Sequence, residues 1–263
     1  MAWVRRNLLT FVAMVTLFIL LLPNVVVALF SFNKPNGRYN YQWVRFSTDA
    51  WANPCGTPGI CDSLGLSLRI GITASVVATI LGTMVAFALG RFRFRGRATT
   101  NLLIFMPMAT PEVVMGSSLL TLFVMMGLST GALAILIAHI MFCVSFVVVA
   151  VKARVASLDP RLEEAAADLG ATPVATFMKV TLPLVAPGIA AGALLAFSLS
   201  FDDYIITNFN ASPSSVTFPM YVWGAAQRGT PVQINVVGTV MFVLSVGIVL
   251  SAQLISRRRA RKA

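Results

Sequence analysis

Residues 159–183 read DPRLEEAAADLGATPVATFMKVTLP. The stretch carries its own folding instructions, in the form of two short capped helices. Asp159 can cap the first, with Pro160 at its first helical position, and Glu163 and Glu164 then sit in the opening turn, where the helix dipole favours anions. Gly170 supplies the stop. Thr172 followed by Pro173 repeats the cap-and-start signal for a second helix, which Pro183 is expected to end. Between the caps, Ala165, Ala166 and Ala167 are small enough for another protein surface to approach closely, and Glu163, Glu164 and Asp168 offer anchoring charges. The segment reads as a rigid polar knob.

What flanks the knob decides the fold. On either side lie apolar runs over roughly 131–151 and 183–206, each long enough to cross about 30 Å of hydrocarbon at about 1.5 Å per helical residue. Further runs of this kind cover roughly 8–32, 66–90, 101–126 and 233–256. Across the 263 residues, 57% are hydrophobic and 11% charged, a balance that no soluble domain of this length needs to fill its core. The expected fold is an all-α membrane protein of six transmembrane helices, a single domain over residues 1–263, with a helix-turn-helix loop at 157–183. Arg5, Arg6 and the Val26-Val27-Ala28 stretch could pass for a signal peptide, but the first apolar run is much longer than a signal core, so it reads as a retained span.

The net charge of +11 comes from 20 Lys and Arg against 9 Asp and Glu, and the cations bracket the spans. Fifteen fall before the first span, between the second and third, around the knob, or in the tail after the last. Only Lys34, Arg38, Arg45, Arg69 and Arg228 fall on the other side. The positive-inside rule then places the knob and both termini in the cytoplasm. Nucleic acid is not the expected partner, because the basic residues mark topology and not a soluble face; the lipid bilayer is.

The first outer loop, about Asn33 to Gly65, carries Tyr39, Tyr41, Trp43 and Trp51, which suit an interfacial aromatic belt as well as a ligand role. Cys55 and Cys61 fall in the same loop, where an oxidising compartment would let them pair across a turn containing Gly56, Pro58 and Gly59. Cys143 lies inside the fourth span as a small apolar residue. No Gly-x-x-x-x-Gly-Lys-Ser/Thr loop is present, and no lysine is followed by Ser or Thr, so ATP hydrolysis cannot reside here. His139 is the single histidine and fits a polar contact between helices; no metal-ligand spacing exists. The chain is expected to be no enzyme and to bind no cofactor or metal itself.

Acids placed where acids are costly are more informative. Glu112 falls well inside the third span, where a carboxylate costs about 2.5–3.5 kcal/mol on insertion scales. Pro107 and Pro111 just before it can break the helix and free carbonyls toward a cavity. Asp202 and Asp203 follow Ser198 by about one turn and could form a polar stripe near the outer end of the fifth span. Acids at such an end could also meet water or pair with Arg228. With no Lys or Arg in the predicted membrane core to neutralise Glu112, a cation supplied by a substrate fits the acids. A cation channel or proton-coupled carrier using Glu112 as a relay would use the same residue.

The spacing of Glu164-Ala165-Ala166, Gly170 and Val180-Thr181-Leu182-Pro183 resembles the EAA loop of the permeases of ATP-binding cassette importers, the family with a MetI-like transmembrane domain. Val180 stands where Ile is usual. The resemblance implies that Glu163, Glu164, Ala165, Ala166, Asp168, Gly170, Leu182 and Pro183 form a coupling element that docks on an ATPase subunit, which counts against an ATPase-free carrier. Segments 29–33, 91–96, 111–115, 139–143 and 198–203 are similar to PotC-type permeases of spermidine/putrescine importers, which often have Asp where Glu112 stands. That resemblance implies a bacterial inner-membrane complex of this chain, a second related permease, two ATPase subunits holding ATP and Mg, and an extracytoplasmic substrate-binding protein. It further implies that Glu112, Asp202 and Asp203 meet polyamine ammonium groups in transit and that Trp51 offers an aromatic face to a cation. The same machine with ferric iron, a sugar or another solute as cargo would share the coupling loop.

Overall fold

The computed structural model describes the backbone of residues 2–260 and the side chains of residues 7–248, 250 and 251. The terminal cations Arg5, Arg6 and Arg257 to Lys262 lie outside the described side chains. In chain order the helices are α1 (Ala2–Phe30), α2 (Asp49–Ala52), α3 (Ile60–Arg91), α4 (Arg97–Ala109), α5 (Glu112–Met125), α6 (Ala132–Ala156), α7 (Arg161–Asp168), α8 (Pro173–Thr176), α9 (Leu182–Asp202), α10 (Ile205–Asn210), α11 (Phe218–Arg228) and α12 (Val232–Ala260). The described residues contain no strand, only an isolated bridge between Asn33 and Phe46.

Four helical segments are long and apolar enough to cross a membrane: Asn7–Phe30, Ile60–Arg91, Ala132–Ala156 and Pro173–Asp202. The expected third span, 101–126, is not one helix. Helices α4 and α5 meet at 108° and make a fifth span only if the bent pair is counted as one. Thr110 and Pro111 at the break are both extended, with ψ of 131° and 134°, as the ring of Pro111 requires of the residue before it. The last expected span, 233–256, falls on α12, whose apolar stretch among the described residues runs over Val232–Ile248.

Pro183 does not end a helix. A π-helical turn over Phe177–Thr181 joins α8 to α9, and Pro183 sits in the first turn of α9. A proline has no N–H to give, and a π-turn shifts the hydrogen-bond register by one residue just where that donor is missing, so the helix continues.

Residue contacts divide the chain into two units, Met1–Cys61 with Tyr221–Ala263, and Asp62–Met220. In the first, α1 packs against α12, with Val27 Cγ1 3.5 Å from the position a Cβ would take on Gly238. The loop after α1 is tied by Asn33, whose amide donates to Asn40 and to the Gln42 carbonyl, both at 2.7 Å. Cys55 and Cys61 form a disulfide, with their Cα atoms 5.5 Å apart. Lys34 pairs with the Asp49 carboxylate, and that hydrogen bond holds the Asp49 carboxyl below the usual carboxylate range. Tyr39, Tyr41 and Trp43 are exposed, as a belt at a membrane surface would be.

The second unit is built around α6. Val147 of α6 is fully buried between two glycines. A Cβ on Gly82 of α3 would fall 2.7 Å from its Cγ1, and one on Gly192 of α9 would fall 3.5 Å from it. Val155 meets Gly90 in the same way, at 2.7 Å. With no apolar driving force between helices in lipid, close approach over small residues is what holds such helices together.

Candidate transport site and coupling hairpin

Two helix breaks carry the acids. Glu112 is the first residue of α5, directly after the break at Thr110-Pro111, and it is exposed. Asp202 is the last residue of α9 and is also exposed, and Ser198, one turn earlier, is exposed with it. No ion pair to a Lys or Arg is formed by Glu112, Asp202 or Asp203 among the described residues.

The second break is followed by α10. Asp202 closes the apolar segment Pro173–Asp202. Beyond it α10 runs on until the Asn210 carbonyl accepts from Gly131 N at 2.8 Å, at the start of α6. Asp203 meets His139, and His139 lies eight residues past Gly131, or about 12 Å along the helix axis. Helix α10 also packs on α5, where a Cβ on Gly116 would fall 3.3 Å from Ile206 Cα. Glu112 stands four residues before this contact on α5, whereas Asp202 ends α9, with Asp203 and Tyr204 between it and α10.

Asp203 plays a different part from its neighbour. Its side chain is only 4% exposed. The carboxylate accepts from the backbone N–H groups of Ile206 and Thr207, at 3.3 and 2.7 Å, and from the Thr207 hydroxyl at 2.8 Å. This caps α10. His139, buried in α6, closes the cluster: its Nδ1 is 2.7 Å from Ser200 Oγ, and its Nε2 is 3.0 Å from Thr207 Oγ1 and 3.3 Å from Asp203 Oδ2. His139 is the interhelical contact its position suggested, and the acid it meets is one of the three expected to face a substrate. Cys143, one turn further along α6, is buried, with its thiol 3.4 Å from the Ala196 carbonyl.

Trp51 belongs to the first unit. One face of its ring stacks on Phe32, with centroids 5.2 Å apart, and its indole N–H donates to Ser31 Oγ at 3.1 Å. It packs against the small cluster of Ala50, Val232 and Val236. The ring anchors its loop. Among the described residues no group of three or more His, Cys, Asp or Glu could hold a metal ion.

The hairpin forms largely as its caps dictate. Asp159 Oδ1 accepts from Arg161 N at 3.0 Å, Gly170 takes a φ of +81° at the stop, and Thr172 Oγ1 accepts from Ala175 N at 3.3 Å. The two adjacent glutamates of α7 point to different tasks. Glu163 turns inward, paired with Arg91 at the end of α3 and accepting from Thr181 Oγ1, both at 2.8 Å. Phe177 meets Phe87 of α3 edge to face at 5.2 Å. A cleft of about 1070 Å³ lies between α3 and the hairpin, walled by Met84, Phe87, Arg91, Ala167, Pro173 and Phe177. Glu164, Ala165, Asp168 and Gly170 are exposed, together with Leu162, Leu169, Val174 and Met178. Of the expected anchoring charges, Glu163 is thus spent inside the chain, while Glu164 and Asp168 remain at the surface. The apolar residues of this exposed face are a feature that the spacing of the acids and alanines did not indicate.

Broken and unbroken apolar helices with acids at the breaks, and a capped polar hairpin tied to a neighbouring span, define a membrane-embedded permease. The chain belongs to the family of binding-protein-dependent transport system inner membrane components, whose model matches residues 78–262. It is 35% identical over 253 residues, 96% of each chain, to the spermidine/putrescine transport system permease protein PotC of Haemophilus influenzae. To the PotC protein of Escherichia coli it is 34% identical over 242 residues, covering 92% of this chain and 91% of that one. To the putrescine transport system permease protein PotI of Escherichia coli it is 38% identical over 234 residues, covering 86% and 82%. Its fold is similar to a chain of a bacterial ABC transporter involved in import of the acidic polysaccharide alginate, with a TM-score of 0.68 at 18% identity over 97% of this chain and 96% of that one.

Proposed function

We propose that this chain is a transmembrane permease subunit of an ATP-driven polyamine importer, and that it couples closure of a partner ATPase dimer to alternating access. The observation that carries the cargo is the pair of acids, Glu112 and Asp202, at the breaks of two helices with no Lys or Arg paired to either among the described residues. A carboxylate held in an apolar span without a cation of its own is stabilised by a cation that passes. A polyamine supplies several ammonium groups on one flexible chain, so two acids can hold it in succession. The names of the relatives point to the same cargo.

In this reading the chain makes six spans with both termini in the cytoplasm, the bent pair α4 and α5 serving as the third and α12 as the sixth. A second related permease completes the pathway. Two ATPase subunits carry ATP and Mg, one of them seated on the exposed face of α7 and α8, and an extracytoplasmic binding protein delivers the substrate. Because Glu163 and Phe177 tie the hairpin to α3, movement of the docked ATPase is passed to the spans as a rigid-body shift.

The experiment is uptake of labelled spermidine and putrescine into proteoliposomes that hold the assembled complex and its binding protein, with ATP at the ATPase side. Uptake is expected to depend on ATP and to fall by about an order of magnitude in Glu112→Gln, the size associated with losing one charge-assisted contact, with assembly unchanged. An intact, ATP-hydrolysing wild-type complex that takes up neither polyamine overturns the cargo and leaves the permease architecture in place.

A further inference from the structure

Helix α10 is strapped to α6 at both of its ends. At one end the Asn210 carbonyl accepts from Gly131 N. At the other, Asp203 and Thr207 both meet Nε2 of His139, and Ser200, three residues before Asp203, meets Nδ1 of the same ring. Both ring nitrogens are engaged. The imidazole therefore grips the last turn of α9 and the first turn of α10 together, and between these grips lie Phe201 and Asp202. The Asp202 carboxylate is exposed, yet its backbone is fixed on both sides.

A break between helices is ordinarily a place of freedom, because the joint residues carry no helical hydrogen bonds. Here Asp203 leaves helical geometry, with φ −65° and ψ 125°, and its side chain replaces the missing bonds by accepting from two N–H groups of α10. A carboxylate in so dry a place needs a further donor, and His139 and the Thr207 hydroxyl are the side chains that reach it.

We propose that His139 is a positioning residue for the transport site: acting through Asp203, it fixes the joint between α9 and α10 and so sets where the Asp202 carboxylate stands in the pathway. This rests on the reading of Asp202 as a pathway acid. Apolar replacement of His139 leaves Asp203 without that donor and frees the joint. Asp202 stays chemically intact but loses its place. The expected signature is weakened apparent affinity with little change in turnover, since neither the coupling hairpin nor the ATPase contact is touched. Glutamine, whose side-chain amide can stand near the Nε2 position and donate to Asp203, restores much of what leucine loses.

The test uses the assembled complex with cysteine-free partner subunits. A spin label on Asp202→Cys reports the joint directly, because Cys55 and Cys61 are bonded to each other and Cys143 is buried. His139→Leu is expected to raise the label's mobility, and His139→Gln to return it toward the parent. In polyamine uptake by the otherwise native chain, His139→Leu is expected to raise KM about tenfold, the effect of losing one hydrogen bond to a charged group, at near-native maximal rate per assembled complex. In an Asp202→Asn background the same change should add little, since both act through one group.

Unchanged label mobility in His139→Leu overturns the proposal, and so does a full additional loss of uptake in the Asp202→Asn background. If His139→Leu does not assemble, Ser200→Ala carries the test. It removes only the Nδ1 partner and should move mobility and KM in the same direction by less; no movement overturns the proposal. If the label loosens as expected while the wild-type complex takes up no polyamine, the positioning role stands and the cargo reading falls.

Discussion

Replacing Gly82 with leucine is expected to prevent the second unit from packing, with little or no folded permease recovered from membranes. A Cβ at this position falls 2.7 Å from Val147 Cγ1 and 3.2 Å from the Val144 carbonyl oxygen. Neither neighbour can yield. Val147 is fully buried, with the position of a Cβ on Gly192 only 3.5 Å from the same Cγ1, and the carbonyl belongs to the backbone of α6. Overpacking a dense core costs about 1–3 kcal/mol where side chains can move, and the cost here lies at or above the top of that range because a helix must move instead. Thermal unfolding of the purified permease measures the effect. Gly224→Leu is the control, since that glycine lies on α11 with nothing within 4 Å of a Cβ. A Gly82→Leu protein as stable as the control would mean that α3 and α6 do not pack through this contact.

The second large effect is expected at the exposed face of the coupling hairpin. Leu169 is 89% exposed and Val174 73%, an unusual display of large aliphatic side chains on a short polar helix pair, and Glu164 stands exposed nearby. Leu169→Asp and Glu164→Arg should each lower ATPase co-purification sharply, by about 2 kcal/mol or about 30-fold in affinity if they fall at the centre of the interface. The permease itself should unfold at its native temperature, because neither residue is packed within the chain.

Glu163→Ala should behave in the opposite way. It removes the partner of Arg91 and of the Thr181 hydroxyl, so the permease should lose stability while the docking surface keeps its residues. Co-purification and thermal unfolding, measured on all three variants, separate the roles. If Glu163→Ala alone lost the ATPase, with normal permease stability, the inward assignment of Glu163 would be wrong.

The hairpin was legible in the sequence because caps and stops are local. Asp159, Gly170 and Thr172 each act on backbone groups within a few residues, so their chemistry does not depend on what the rest of the chain does. The same holds for the break before Glu112, which the ring of Pro111 imposes on Thr110. The outcome at Pro183 differs from the expected stop for a related reason. A proline signals a missing donor, but whether the chain stops or shifts to a π-turn depends on how the neighbouring turn is packed, and Thr181 within that turn is held by Glu163.

Composition and cation placement determined that this is a membrane chain, and the caps and stop within residues 159 to 183 determined that it carries a helical hairpin. Both follow from short-range physics, the transfer of apolar side chains into lipid and the satisfaction of helix ends. Tertiary structure alone decided that Asp202 is open while Asp203 is buried, that Glu163 faces inward while Glu164 faces out, and that His139 grips the joint between two helices. Adjacent residues of one type have the same local chemistry. They part only when a distant segment, sixty residues or more away in the cases of His139 and Arg91, arrives to engage one of them and leaves the other free.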